Sequence, residues 1–246
     1  MVGFGFGNIY ALAARPEVDA VRAANLMKGR PAEQVGSVVT TPARIPAVYD
    51  WSRLPDELTP QAALCLMDAL FDVGPFGFRG PAADTVPDHL SHDHSGVRTT
   101  QLIAPGYSCP SNAFIGACLQ RIGGDILHIT SANRSHHVSG SVEEPAHYRG
   151  DALAAEFGGG PELLVLNHPD EAGVRDRHPL HAPMSTTVLA LHRTAGVDRQ
   201  GRVVLVIERH GSLPVEEVRR IVGPLGFDVV LGRTAQTRLP RRRYPA

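Results

Sequence analysis

Short apolar runs alternate along the chain with longer stretches whose apolar residues fall at helical spacing. Between Glu17 and Lys28, the residues Val18, Val21, Ala24 and Leu26 follow a helical period, and Gly29 stands where such a helix would end. Ser37 to Thr40 reads as a short strand closed by Pro42. Thr59 followed by Pro60 reads as an N-cap with proline at the first helical position, opening a helix through Ala62, Leu66 and Leu70. Val73 to Phe78 is extended in pattern, and Arg79 to Ser95, rich in Pro, Asp and His, reads as an exposed insertion. Strands are expected over Thr99 to Ala104, Ile126 to Ile129, Leu163 to Leu166, Thr186 to Leu191, Val203 to Ile207 and Val229 to Leu231. One helix is expected to start at Ser111 or at Cys109-Pro110 and to end at Gly123-Gly124, and another to run over about Ala146 to Phe157. A third would be capped by Ser212, with Glu216 and Glu217 in its first turn and Arg219 and Arg220 in its last. Strands alternating with helices define an α/β sheet protein. With no internal repeat and no long linker, the chain reads as one domain over residues 1–240 and a basic tail over 241–246.

Composition narrows the class. A chain of 246 residues, 43% hydrophobic and with a net charge of −1, can fill a core, which excludes a mainly disordered protein. It also lacks the basic excess of a protein built to wrap nucleic acid. Cys65, Cys109 and Cys118 form no CxxC pair and read as reduced thiols of a cytoplasmic protein. The pattern contains neither a membrane span nor a signal peptide. Of the 24 Lys and Arg residues only Lys28 is a lysine, which is either chance survival in an arginine-rich chain or a place that needs a compact ammonium rather than a planar guanidinium fork.

Several segments could carry chemistry. Lys28-Gly29-Arg30-Pro31 sets two cations beside a turn where a polyanion could enter. Ser131 and Asn133 directly follow a buried strand, the position at which open α/β sheets place ligand groups. Ser185-Thr186-Thr187 enters a strand and Arg209-His210-Gly211 leaves one. Gly3, Gly5 and Gly7 match neither a GxGxxG nor a Walker loop and read as a Gly-rich strand or turn. His89, His92 and His94 could converge on a transition metal, but no Cys or Glu beside them completes a ligand set. They read as a solvated, pH-sensitive loop without a metal.

In order, Lys28-Gly29-Arg30-Pro31, Gly74-Pro75, Gly96-Val97-Arg98, Thr130-Ser131-Ala132-Asn133, Ser185-Thr186 and Arg209-His210-Gly211 resemble the YrdC/TsaC-like family of threonylcarbamoyl-adenylate synthases. Ile9-Tyr10-Ala11-Leu12 is similar to the family's Val-Tyr-Gly-Leu. The resemblance implies an α/β protein with a YrdC-like twisted open mixed sheet, flanking helices and a central, positively lined cavity. It implies that bicarbonate, L-threonine and ATP are combined into threonylcarbamoyl-adenylate and pyrophosphate, feeding a tRNA modification. Carried onto this chain, Lys28 and Arg30 would hold the ATP phosphates from the cavity wall with their charged ends turned inward, and replacing Lys28 with Ala would hardly change folding. Ser131, Asn133, Ser185 and Arg209 would contact the nucleotide, while Tyr10, Asn8, Arg98 and Thr130 would line the substrate side. Mg²⁺ would be held mainly by the ATP phosphates.

The chain departs from the family where threonine is held. The family's Pro-Thr-Asp-Thr is here Gly5-Phe6-Gly7-Asn8, its Gly-Pro-x-Thr is Gly74-Pro75-Phe76-Gly77, and its usual N-terminal segment has no counterpart. A wider, less polar cavity is expected in consequence. Two other readings are a YrdC-like paralogue that hands its carbamoyl-adenylate to a different acceptor, and a non-catalytic nucleotide- or RNA-binding module in which Arg241 to Arg243 touch phosphates.

Overall fold

The computed structural model describes residues 1–135, 144–158 and 163–244. Among them, eleven strands form one mixed, twisted, open sheet: β1 (Val2–Phe6), β2 (Ile9–Ala14), β3 (Ser37–Val39), β4 (Phe76–Pro81), β5 (His92–His94), β6 (Val97–Ala104), β7 (Leu127–Ser131), β8 (Leu164–Leu166), β9 (Val188–Val197), β10 (Val203–Arg209) and β11 (Phe227–Leu231). The order is β11-β10-β9-β4-β6-β3-β7-β2-β1-β8, with β5 paired to β6 off this path. The pairs β3–β6, β4–β9, β10–β11 and β1–β8 are parallel, and the other neighbours run antiparallel.

The helices are α1 (Val18–Met27), α2 (Pro60–Val73), α3 (Ser111–Ile122), α4 (Gly150–Phe157), α5 (Glu171–Arg177) and α6 (Val215–Val222). In α2, Thr59 accepts a hydrogen bond from the Ala62 amide at 3.2 Å, and Ala63, Leu66, Met67, Leu70 and Phe71 form the buried stripe that the spacing predicts. That stripe joins Val215, Val218 and Val222 of α6 in the largest core cluster, against Phe78, Leu102, Leu189 and Leu205 of the sheet. A second cluster packs Ile115 and Leu119 of α3 on Phe6, Ala11, Ile103 and Ile129. A third packs Leu153 and Phe157 of α4 on Tyr10 and Leu12. Successive residues of β2 therefore face two different helices, as alternation on a strand requires.

The Gly-rich start is a strand and turn, as expected: β1 of a tight hairpin, with Phe6 opposite Ile9 and with Gly7 and Asn8 as its turn. Two local expectations change. The His-rich stretch is not an exposed insertion. Val86 and Leu90 are buried, and His92–His94 forms β5, which turns through Ser95 (φ 56°) and Gly96 (φ 82°) into β6. Ser212 does not cap α6, because Pro214 takes the N-cap position. Its amide instead donates to the Ser185 carbonyl at 2.9 Å, tying the loop after β10 to the start of β9. The basic tail also lies against the body: Arg238 donates to the Gly211 and Ser212 carbonyls, and the Arg242 amide to Pro183.

Candidate active site

A cavity of about 220 Å³, room for a small molecule and not for a duplex, opens on the face of the sheet that α3 covers elsewhere. Phe6, Ile9 and Ala11 floor it, and Thr130 and Ser131 at the end of β7 form one side. Arg30, Arg79 and Arg209 reach it from three separate segments, and no carboxylate is among its lining residues.

The polar side is one hydrogen-bonded network. The Thr130 hydroxyl oxygen accepts from Lys28 Nζ at 2.9 Å and from Arg30 Nη1 at 3.0 Å. Ser185 Oγ donates to Ser131 Oγ at 3.0 Å, Ser131 Oγ donates to Asn133 Oδ1, and Asn133 Oδ1 accepts from Lys28 at 3.4 Å. Lys28 also donates to the Ser131 carbonyl. Arg209 is anchored through Nε to the Thr186 carbonyl at 2.7 Å and through Nη2 to the Thr186 hydroxyl at 2.8 Å. Lys28, Arg30, Thr130, Ser131, Asn133 and Ser185 are thus brought into direct contact from three stretches of chain, with Arg209 held beside them on Thr186.

Lys28 does not stand on the wall as expected. Its side chain is fully buried behind Thr130 and Ser131, because α1 ends at this residue and aims it at the C-terminal end of β7. Three other residues lie away from the cavity. Tyr10 alternates with Ile9 and Ala11 and so projects from the opposite face. There it donates to Glu171 and accepts from the His168 amide, and burial followed by the Glu171 carboxylate raises its pKa well above the usual phenol range. Asn8 ties the β1–β2 turn to the Ala182 carbonyl at 2.6 Å. Arg98 clips the segment before β5, donating to the Ala83 and Val86 carbonyls and pairing with Asp88.

Other lining residues carry no mark in the sequence motifs. Arg79 sits in β4, pairs with Glu208 at 2.8 Å and donates to Gln101 at 2.8 Å, so its guanidinium is held at the cavity edge. A lone charge inside the apolar run Phe76 to Pro81 is the signal that marks it. Asn25, buried in α1, donates to the Ala32 and Gln34 carbonyls and shapes the loop that leads into the wall.

His128, on β7 behind this site, is buried against Gly36, where a Cβ would come within 2.2 Å of its ring. Burial first, then the charges of Arg30 and Lys28, push its pKa from 6.5 down to about 4. The unfolded chain therefore binds the extra proton first. The stability His128 contributes is complete above pH 6.5 and is lost as the pH falls from 6.5 toward 4. Between pH 7 and pH 5 this costs about 2 kcal/mol. Urea unfolding at the two pH values is expected to show a loss in the natural chain of at least that size, since buried His181 is shifted in the same direction, and a loss smaller by about 2 kcal/mol in His128→Leu.

The open, twisted mixed sheet with its flanking helices is a YrdC-like fold. The solved structures it is similar to include P. abyssi Sua5 complexed with L-threonine, with a TM-score of 0.60 and 20% identity over all of this chain and 61% of that one. The hypothetical protein smu.1377c from Streptococcus mutans UA159 superposes with a TM-score of 0.58 at 12% identity, covering 94% of this chain and 90% of that one. E. coli YciO reaches a TM-score of 0.50 at 16% identity over 77% of each chain. This chain spans less than two thirds of the length of the Sua5 it matches. No family profile and no curated protein sequence matches the chain. Among the described residues, no helix is long and apolar enough to cross a membrane.

Proposed function

We propose that the protein forms a carbamoyl-adenylate from ATP, bicarbonate and an amino acid, with L-threonine as the first candidate for the amine. The observation that carries this reading is the convergence of Arg30, Arg79 and Arg209 on a cavity edged by the Thr130 and Ser131 hydroxyls. Its support from outside the site is a fold shared with a protein solved in complex with L-threonine.

In the proposed reaction, bicarbonate and the amine condense to a carbamate with loss of water. A carbamate oxygen then forms a bond to the α-phosphorus as the bond to pyrophosphate breaks, and the electron pair leaves with pyrophosphate. Charge accumulates on that leaving group, so fixed cations that need no reorganisation are the main catalytic requirement. Arg30, held by Thr130, and Arg209, held by Thr186, are the residues assigned to the phosphates. Mg²⁺ arriving on ATP would add to the same neutralisation. Lys28 acts from behind, keeping the Thr130, Ser131 and Asn133 acceptors oriented.

Arg30→Ala and Arg209→Ala are each expected to remove a charge-assisted contact worth about 1.5–3 kcal/mol and to weaken ATP roughly 10- to 100-fold by calorimetry. Pyrophosphate release with ATP, bicarbonate and L-threonine, L-serine or L-valine tests the reaction itself. With Gly7 and Gly77 in place of the family's Asp and Thr side chains, discrimination among the three is expected to stay below about tenfold, that is below about 1.4 kcal/mol, or none of the three to be turned over. ATP binding without pyrophosphate release for any amino acid in a wider panel would refute the enzymatic reading.

A further inference from the structure

His94 of β5, His192 of β9 and Glu208 of β10 come together beside Arg79 of β4, with one ligand atom from each within 4.8 Å of the others. We infer that these three side chains form a divalent transition-metal site, with Zn²⁺ the ion the donor set suits best. Two imidazoles and a carboxylate match the ligand preferences of Zn²⁺, and three protein ligands leave a fourth position for water or an exogenous group.

The geometry is built more closely than three neighbouring polar groups require. His192 has a side chain only 2% exposed. Its Nδ1 lies 3.2 Å from the Arg79 carbonyl, the arrangement in which Nδ1–H donates to a backbone oxygen and leaves the Nε2 lone pair for a metal. That Nε2 is buried with no hydrogen-bond partner. It faces Glu208 Oε1 at 3.5 Å, close to the separation of about 3.4 Å between two ligands on a tetrahedral ion with bonds of about 2.0–2.1 Å. His94 completes the set from a three-residue strand at the surface, where a shift of its ring closes the remaining distance.

Two guanidiniums share the carboxylate and would feel the ion. Arg79 holds Oε2 at 2.8 Å and can keep it, whereas Arg193 holds Oε1 at 3.1 Å from a half-exposed position and can swing to solvent when the ion takes that oxygen. The open coordination position would look onto a groove lined by His92, His94, Arg79 and Gln101, the last two of which also line the main cavity. A bound ion would clamp the β5–β6 hairpin to β9 and β10 and hold Glu208, and through it Arg79, at the cavity edge.

The test uses the full chain without a histidine tag. Titration with Zn²⁺ against a competing chelator is expected to show one tight equivalent, and Co²⁺ in its place to give the intense visible bands of a tetrahedral ion. His94→Ala, a surface change, is expected to abolish those bands and to weaken Zn²⁺ by at least the roughly 10- to 100-fold that losing an outer-shell partner costs. Glu208→Gln should do the same if His94→Ala alters folding, and His89→Ala should leave binding intact. Less than one equivalent at micromolar Zn²⁺, or tight binding that survives both His94→Ala and Glu208→Gln, overturns the site.

Discussion

Lys28→Ala is expected to destabilise the protein by about 2–4 kcal/mol and to lower its melting temperature by roughly 5–15 °C. The ammonium is fully buried, and its loss leaves the Ser131 carbonyl without this donor while removing one of the two cations on Thr130. A cavity the length of the lysine stem adds to the cost, since the end of α1 and the end of β7 cannot collapse onto each other without breaking the network. Lys28→Met refills most of that volume and separates the two roles. It is expected to recover part of the melting temperature and still to weaken ATP about tenfold, because the Thr130 hydroxyl and the Ser131 carbonyl lose the charge that orients them. Thermal unfolding and calorimetry on both variants decide the matter: ATP affinity in Lys28→Met equal to that of the natural chain would make Lys28 purely a structural residue. Arginine is no substitute here. Its planar fork is wider than an enclosed site shaped around one nitrogen with three donors.

Restoring side chains at the two glycines that replace the family's Asp and Thr is expected to cost stability without creating selectivity. Gly7 has a φ of +60°, and a Cβ there would meet Pro75 Cγ at 2.0 Å. Gly7→Ala therefore combines a left-handed backbone penalty of about 1–2 kcal/mol with overpacking of about 1–3 kcal/mol. At Gly77 a Cβ would lie 2.6 Å from Ile103 Cδ1, 2.9 Å from Val188 Cγ2 and 3.2 Å from the Thr187 carbonyl. Gly77→Thr is expected to cost about 1–3 kcal/mol and to leave the ratio of pyrophosphate release with threonine and valine unchanged. Denaturant unfolding reads the first effect, and the paired rates read the second. A stable Gly77→Thr chain with a sharpened threonine preference would show that the pocket has kept the family's shape. The glycines thus do not widen the cavity, as loss of side chains alone suggests. Their space is already filled by Pro75, Ile103 and Val188, so whatever discriminates the amine must come from groups other than the missing hydroxyls.

The elements that follow from short-range rules were legible from the chain alone. Thr59-Pro60 starts α2, the stripe from Ala63 to Phe71 is its buried face, and the apolar β-branched runs become β9, β10 and β11. Lys28-Gly29-Arg30 at a helix end and Thr130-Ser131-Ala132-Asn133 after a strand marked two of the segments that meet at the cavity, because hydroxyls and cations beside helix ends and strand ends are recognisable without knowing their neighbours.

Contacts across the sheet were not legible in the same way. Once Ile9–Ala14 is a strand, alternation sends Tyr10 under α4 and Ala11 into the cavity, yet the motif Ile9-Tyr10-Ala11-Leu12 looks the same whichever face holds the ligand. Arg79 becomes a cavity residue only because β4 lies between β6 and β9, and the pairing of Ser212 with Ser185 depends on the loop after β10 passing over the start of β9. His94 lies about a hundred residues from His192 and Glu208, so its partners come within reach only when the sheet sets β5, β9 and β10 around β4. Propensity, capping and hydrophobic period act over a few residues and are written along the chain. Which face of a strand is wet, which cation has a partner and which imidazoles converge depend on strand order and register, set by burying the whole apolar surface at once.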